Sequence, residues 1–165
     1  RPEIFSLGHR NPQGLALNPW TGTVWEAEFG ARGGDEINAL RAGANYGWPV
    51  VSHGVDYDGS RIGAGRSSAP GLEEPLFHWT PSVSPSGIAF YTGDAFPGWQ
   101  RSLFVAALNP PGLVRLGTEG DRVTGEERLL FDRRIRMRDV VVAADGALLV
   151  LTDEARGRIL RLAPP

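Results

Sequence analysis

The sequence predicts an all-β fold laid out as part of a β-propeller. Two observations point there. Short alternating or β-branched apolar runs recur along the whole chain, each closed by Gly, Pro, Asn or Asp. The same grammar of inner strand, buried second strand, polar loop and third strand begins near Gly14, near Gly87 and near Asp139, roughly 50 to 75 positions apart.

The first unit opens with Gly14-Leu15-Ala16-Leu17, an apolar run ended by the Asn18-Pro19 turn. Residues 23–29 alternate and carry Val24, Trp25 and Phe29, and Glu36-Ile37-Asn38-Ala39-Leu40 completes a meander before the turn at 41–45. In the second unit, residues 86–91, 102–108 and 112–116 read as strands, followed by 123–125 and 127–130. In the third, residues 138–143, 147–152 and 157–162 repeat the pattern. Residues 94–100 have room for one short helical turn, but Pro97 and Gly98 argue against a real helix. Fewer than about ten residues are expected in regular helix.

Four-stranded sheets at this spacing are propeller blades, and a ring closes with about 4–8 of them. The chain supplies about three, at approximately 1–50, 76–132 and 133–165, with a loop insertion at 51–75. It therefore reads as half of a single propeller domain, the other blades lying upstream or in a partner. A self-contained three-hairpin sandwich is the alternative. The abrupt start at Arg1, without Met, points to a longer chain.

Composition narrows the classes. At 165 residues and 41% hydrophobic, the chain can bury a core, and Gly (22) and Pro (13) are spread as in turn-dense β proteins. The net charge of −2 gives no electrostatic case for nucleic acid or an anionic membrane. No apolar run approaches the ~18 residues of a membrane helix. Cysteine is absent, which excludes disulfides and thiolate metal sites. All 17 basic residues are Arg, which fits a GC-rich coding bias and also suits two-pronged recognition of carboxylates.

Four groups carry candidate chemistry. Arg10 and Asn11 precede the stiff turn Pro12-Gln13-Gly14, and offer a planar fork of donors beside an amide. A surface Arg capping a turn fits the same spacing. Neighbouring His9 reads as a packed, hydrogen-bonded histidine rather than a base. Arg136 and Arg138 fall on one side of a strand entrance by alternation, where they could grip one anion or form a solvated basic edge with Arg133 and Arg134. Glu26, Glu28, Asp35 and Glu36 gather oxygen ligands near a Gly-rich turn, the donor chemistry Ca²⁺ takes, and Tyr46 could add a carbonyl. Tyr46, Trp48, Tyr57, Trp79 and Tyr91 flank Gly/Pro turns; one or two would stack on a sugar or flat cofactor, and the rest would be core.

The ordered series Leu7-Gly8-His9-Arg10-Asn11-Pro12-Gln13-Gly14, Asp35-Glu36-Ile37-Asn38, Asn45-Tyr46-Gly47-Trp48-Pro49, Arg138-Asp139-Val140 and Asp145-Gly146 resembles the soluble glucose/sorbosone dehydrogenases, especially the short-looped aldose sugar dehydrogenases. These use pyrroloquinoline quinone (PQQ) and calcium. The resemblance implies a six-bladed propeller of which this chain is the C-terminal half. It implies oxidation of the C1 hydroxyl of an aldose to a lactone, with an artificial or respiratory electron acceptor and a periplasmic or secreted location. It implies PQQ contacts from Arg10, Asn11, Arg136 and Arg138, with Asn109 where the family commonly has Lys. Carbonyls of Gly30 and Ala31 would hold a catalytic calcium, and Glu36 with the Tyr46 carbonyl a structural one. Tyr57, and Trp79 with it, would shape the substrate mouth. The catalytic His of the family has no match in His9, His53 or His78. A calcium-dependent propeller lactonase, or a non-catalytic propeller binding sugar or protein, are the alternative readings.

Overall fold

The computed structural model describes residues 2–165. Strands β1 (Pro12–Leu17), β2 (Val24–Glu28), β3 (Asp35–Ala39) and β4 (Phe77–Trp79) form one antiparallel sheet in chain order. Strands β5 (Pro85–Phe90), β6 (Ser102–Leu108), β7 (Pro111–Thr118) and β8 (Val123–Leu129) form a second. Strands β9 (Met137–Val142), β10 (Leu148–Thr152) and β11 (Ile159–Leu162) form a third, which has three strands rather than four. Among the described residues the only helical turns are two short 3-10 turns, at Pro97–Trp99 and Phe131–Arg133.

The elements follow the sequence pattern closely, with one correction. Phe77–Trp79 is the fourth strand of the first sheet, paired with β3, and does not open the second unit at residue 76. The chain leaves β3, makes the long excursion, and returns to the edge it left. Near the N-terminus, Leu7 makes a single parallel bridge to Asn45, so that this segment is a tether rather than a full strand.

Burial explains the stacking of the sheets. Every residue of β6 is buried, so it is covered on both faces. Leu103, Val105 and Ala107 join Trp25, Ile37, Ile88 and Phe90 in one core. Phe104 and Ala106 join Met137, Val140, Leu148 and Val150 in the other. Alternate side chains of one strand thus bind the second sheet to both neighbours.

The inner strands β1, β5 and β9 lie side by side. A side chain at Gly14 would collide with the carbonyl of Ser86, and one at Gly87 with the carboxylate of Asp139. Glycine is needed there for close approach, and matching points of the three strands face each other.

At the far end, one carboxylate locks the first two sheets. Asp121, in the β7–β8 turn, accepts from Asn18 Nδ2 (3.2 Å), Thr21 Oγ1 (2.8 Å), Thr23 Oγ1 (2.8 Å) and Trp25 Nε1 (2.9 Å). Asp121→Ala strands these donors and should lower the unfolding free energy of the full-length protein by about 1–3 kcal/mol in a urea titration. A change within about 0.5 kcal/mol would show that the lock is dispensable.

Candidate functional site

Strand direction gathers the candidate residues. β1, β5 and β9 start, and β2, β6 and β10 end, at the same end of the stacked sheets. Arg10 and Asn11 precede β1, Arg136 and Arg138 sit at the start of β9, Gly30 and Ala31 follow β2, and Asn109 follows β6. Residues more than a hundred positions apart therefore share one rim.

Arg10 is held firmly. Its Nη1 donates to the carbonyls of Phe29 (3.2 Å) and Gly30 (2.7 Å), and its Nη2 to the Tyr57 hydroxyl (3.1 Å). The guanidinium also lies 5.2 Å from the Trp48 ring and 5.8 Å from the Tyr57 ring, within cation–π range. Beneath it, Glu28 Oε2 accepts from the backbone N–H of Arg10 (2.6 Å) and of Asn11 (3.1 Å). Asn11 is exposed, and its side-chain oxygen accepts from Gln13.

Arg136 and Arg138 lie on one side, as alternation requires, and converge on Asp153 just past β10. Arg136 donates to Asp153 Oδ2 through Nε (2.9 Å) and Nη2 (2.7 Å), and Arg138 Nη2 lies 3.3 Å from the same oxygen. Both guanidinium groups stay nearly half exposed. Hydrogen bonds from these arginines hold the Asp153 carboxyl below the usual carboxylate range. One carboxylate faces two cations, leaving a positive charge over for a further anion. Arg136 also reaches the carbonyl of Leu108, next to Asn109 (3.4 Å).

A cavity of about 990 Å³ opens on this rim, and Gly30, Ala31, Tyr57, Thr80, Ser84 and Asn109 contribute to its wall. Asp35 shapes that wall. Its carboxylate accepts from the N–H groups of Gly30 (2.9 Å), Val83 (2.8 Å) and Ser84 (2.7 Å), and from the Ser82 hydroxyl. With those donors filling it, Asp35 is a turn-builder rather than a free ligand.

Behind the rim lies a buried acidic cluster. Asn38, fully buried, aims Nδ2 at Glu26 Oε2 (3.1 Å), Glu28 Oε1 (3.1 Å) and Glu36 Oε2 (3.4 Å). An amide has two protons for these three acceptors. His9 Nδ1 stands 3.5 Å from Glu28 Oε1 and 3.8 Å from Glu26 Oε2, and Glu26 Oε1 has no partner. Burial, then the charge of Glu28, pushes the Glu36 carboxyl up to about 7, against the opposing Asn38 hydrogen bond. Burial and Glu28 push Glu26 up further. Beside the cluster is a cavity of about 20 Å³, lined by Glu28, Gly30, Glu36, Tyr46 and Trp48 among others. That is room for about one water or one ion.

The structure corrects one site residue. Trp79 is only 3% exposed, because pairing of β4 with β3 turns it into the core against Phe77. It cannot shape a substrate mouth. Tyr57, 70% exposed, does stand at the cavity edge. His9 stacks on Tyr46 (4.6 Å) and bonds Ser6 through Nε2 (2.8 Å), a packed histidine as its context suggested. Sequence reasoning missed the roles of Asp153 and Asn38. Asp153 lies at a strand end that pairs back toward Arg136, a signal that needs the register. Asn38 alternates with Glu36 on one face of β3, a signal that was available.

Comparisons with known proteins bear on the family and the fold. The family model described as Glucose / Sorbosone dehydrogenase matches residues 1–161. Aldose sugar dehydrogenase YliI of Escherichia coli (strain K12) is 47% identical over 165 residues, covering 99% of this chain and 44% of the relative. A crystal structure of a glucose dehydrogenase superposes with a TM-score of 0.95 at 50% identity, covering 100% of this chain and 48% of that one. The PQQ-bound form of aldose sugar dehydrogenase from Streptomyces coelicolor superposes with a TM-score of 0.75 at 30% identity, covering 97% and 45%. The chain thus spans less than half the length of these relatives, and its three sheets are blades of their propeller. By its motifs, its fold and the match across nearly its whole length, the chain belongs to the glucose/sorbosone dehydrogenase family.

Proposed function

We propose that the whole protein is a PQQ- and calcium-dependent dehydrogenase that oxidises the C1 hydroxyl of an aldose to a lactone, this chain being the C-terminal half of its six-bladed propeller. The observation that carries the reading is the shared rim. Arg10 with Asn11, Asn109, and Arg136 with Arg138 stand at the same end of three neighbouring sheets, and of these residues Asn109 lines the large cavity there. A tricarboxylate needs several fixed cationic and amide donors, and charge-assisted hydrogen bonds to it contribute about 1.5–3 kcal/mol each.

The residues present fit these groups to different degrees. For the quinone cofactor, the Arg136–Arg138 pair has spare positive charge and exposed N–H groups. Arg10 is fixed by carbonyls and aromatic faces, so little ordering is left to do on binding. For a structural cation, Glu36, Glu28 and Tyr46 line a one-ion cavity in which Arg10 is the cationic side chain present, against the three clustered carboxyls of Glu26, Glu28 and Glu36. Calcium, which takes several oxygens in flexible geometry, suits that donor set. For the catalytic calcium, the Gly30 and Ala31 carbonyls alone are too few, and the Gly30 oxygen already accepts from Arg10. That ion would need ligands from the cofactor. When bound, the quinone supplies a hydride acceptor and its calcium a Lewis acid.

The roles left to this chain are binding and orientation. Arg10 and the arginine pair grip the cofactor's carboxylates, and Tyr57 frames the sugar's approach. The base that takes the hydroxyl proton belongs to the upstream half. The electron acceptor is respiratory or artificial, and the location periplasmic or secreted. No helix among the described residues is long and apolar enough to cross a membrane. Asn109 favours a second reading, because a neutral amide stands where a Lys commonly reaches the cofactor. A calcium-dependent propeller lactonase would need no such charge.

Three outcomes test the proposal. In the full-length protein, Arg138→Ala should weaken PQQ binding roughly ten- to a hundredfold while leaving the melting curve intact. Full-length protein that binds no PQQ in the presence of calcium, and shows no dye-linked aldose oxidation, would shift the balance to the lactonase.

Glu36→Gln should abolish most of the rise in melting temperature that calcium produces, since an ion bound only to the native state stabilises by mass action. An unchanged rise would remove Glu36 from the site.

The metal-free protein should lose stability as pH rises. Glu36 and Glu26 hold their protons more tightly folded than unfolded, so the native state binds more protons above pH 4.5. Stability contributed by protonated Glu36 is full below about 4.5 and is lost by about pH 7, on the order of 1–3 kcal/mol, with Glu28, Glu74 and Asp35 facing it. Denaturant titrations at pH 5 and pH 8 in chelator should show this fall, and calcium should reverse it. Equal stability at both pH values would contradict the reading of the cluster.

A further inference from the structure

Glu28 belongs to two networks at once. Its Oε2 accepts from the backbone N–H groups of Arg10 and Asn11, the turn that presents both candidate cofactor ligands. Its Oε1 faces Asn38 Nδ2 at 3.1 Å and His9 Nδ1 at 3.5 Å, inside the acidic cluster. The same side chain lines the one-ion cavity with Glu36 and Tyr46. It is 4% exposed and both of its oxygens are engaged, so it has little freedom to answer one network without disturbing the other.

We propose that Glu28 is a positioning residue that couples occupancy of the Glu36–Tyr46 cation site to the grip of the Arg10–Asn11 turn on an anionic cofactor. The proposal rests on reading Glu36 and Tyr46 as a calcium site. Without a cation, Glu26, Glu28 and Glu36 compete for one amide and repel one another. A divalent ion in the adjoining cavity relieves that repulsion and fixes the Glu28 carboxylate in place. Its other oxygen then holds the two N–H groups at constant geometry, and Arg10 stays stacked on Trp48 with its Nη1 on the Gly30 carbonyl. Because coupling is reciprocal, a ligand that immobilises Arg10 should in turn tighten cation binding.

The test uses full-length protein without PQQ. Amide hydrogen exchange at Arg10 and Asn11 is followed with and without saturating calcium chloride, while calorimetry counts the calcium bound. In the wild type, calcium should slow exchange at both amides about five- to tenfold. Glu28→Gln keeps the shape and one acceptor oxygen but removes the charge. Because Glu28 lines the cavity, this variant should bind calcium more weakly, and at concentrations where calorimetry shows its site filled, exchange at Arg10 and Asn11 should no longer respond to calcium. Glu36→Gln leaves Glu28 and the Gly30–Ala31 carbonyls untouched and should also abolish the response, which separates this ion from one at the rim. PQQ titrated by quenching of tryptophan fluorescence should bind about tenfold more weakly to Glu28→Gln. The coupling is overturned if calcium binds to the wild type without slowing exchange at these amides, or if Glu28→Gln responds as the wild type does. If calorimetry shows no calcium site that depends on Glu36, the metal reading falls and takes the coupling with it.

Discussion

Close packing of the inner strands sets the geometry on which everything else is built. Gly14 lies against the Ser86 backbone and Gly87 against Asp139, with no space for a side chain at either point. This brings β1, β5 and β9 together at matching positions. Because the three strands are aligned, the loops before them and the turns after β2, β6 and β10 come out on a common rim. A residue larger than Gly at either place would push two sheets apart, and the rim would open before any ligand residue was altered.

The rim and the acidic cluster behind it solve one electrostatic problem from opposite sides. The rim carries arginines with too few carboxylates, since Arg136 and Arg138 share Asp153. The cluster carries carboxylates with too few cations, since Glu26, Glu28 and Glu36 share one Asn38 amide. Under the proposed function, an anionic cofactor would complete the first and a divalent cation the second. Buried charges left unpaired are costly, which is why the acidic cluster reads as a place for a ligand rather than as self-sufficient packing, while the half-exposed arginines of the rim keep N–H groups free for an anion. Glu28 is the side chain that touches both.

Much of the fold was legible because the strands obey simple rules. Residues 102–108 are apolar throughout and form a strand buried on both faces, and residues 147–152 pair as their β-branched and Leu content suggests. β4 was not legible. It is three residues long, contains the polar His78, and sits in a Pro- and Gly-rich stretch, so only its pairing with β3 reveals it. Trp79 was misread for the same reason, since an aromatic beside a Thr-Pro step fits a mouth as well as a core until the strand is known. Of the candidate site, the acids and arginines were visible as residue types. Their partners were not. Arg10 is held by the main-chain carbonyls of Phe29 and Gly30, and Arg136 by a carboxylate across a register that alternation alone does not specify.

A crystal structure of the full-length protein grown with PQQ and calcium would examine the proposed shared rim without relying on turnover. The account predicts one cofactor on the propeller axis whose carboxylates touch both Arg10 and the Arg136–Arg138 pair, and a second, separate ion between Glu36 and the Tyr46 carbonyl. A rim that stays empty at saturating PQQ, or a cofactor that contacts only one of these arginine groups, would contradict it.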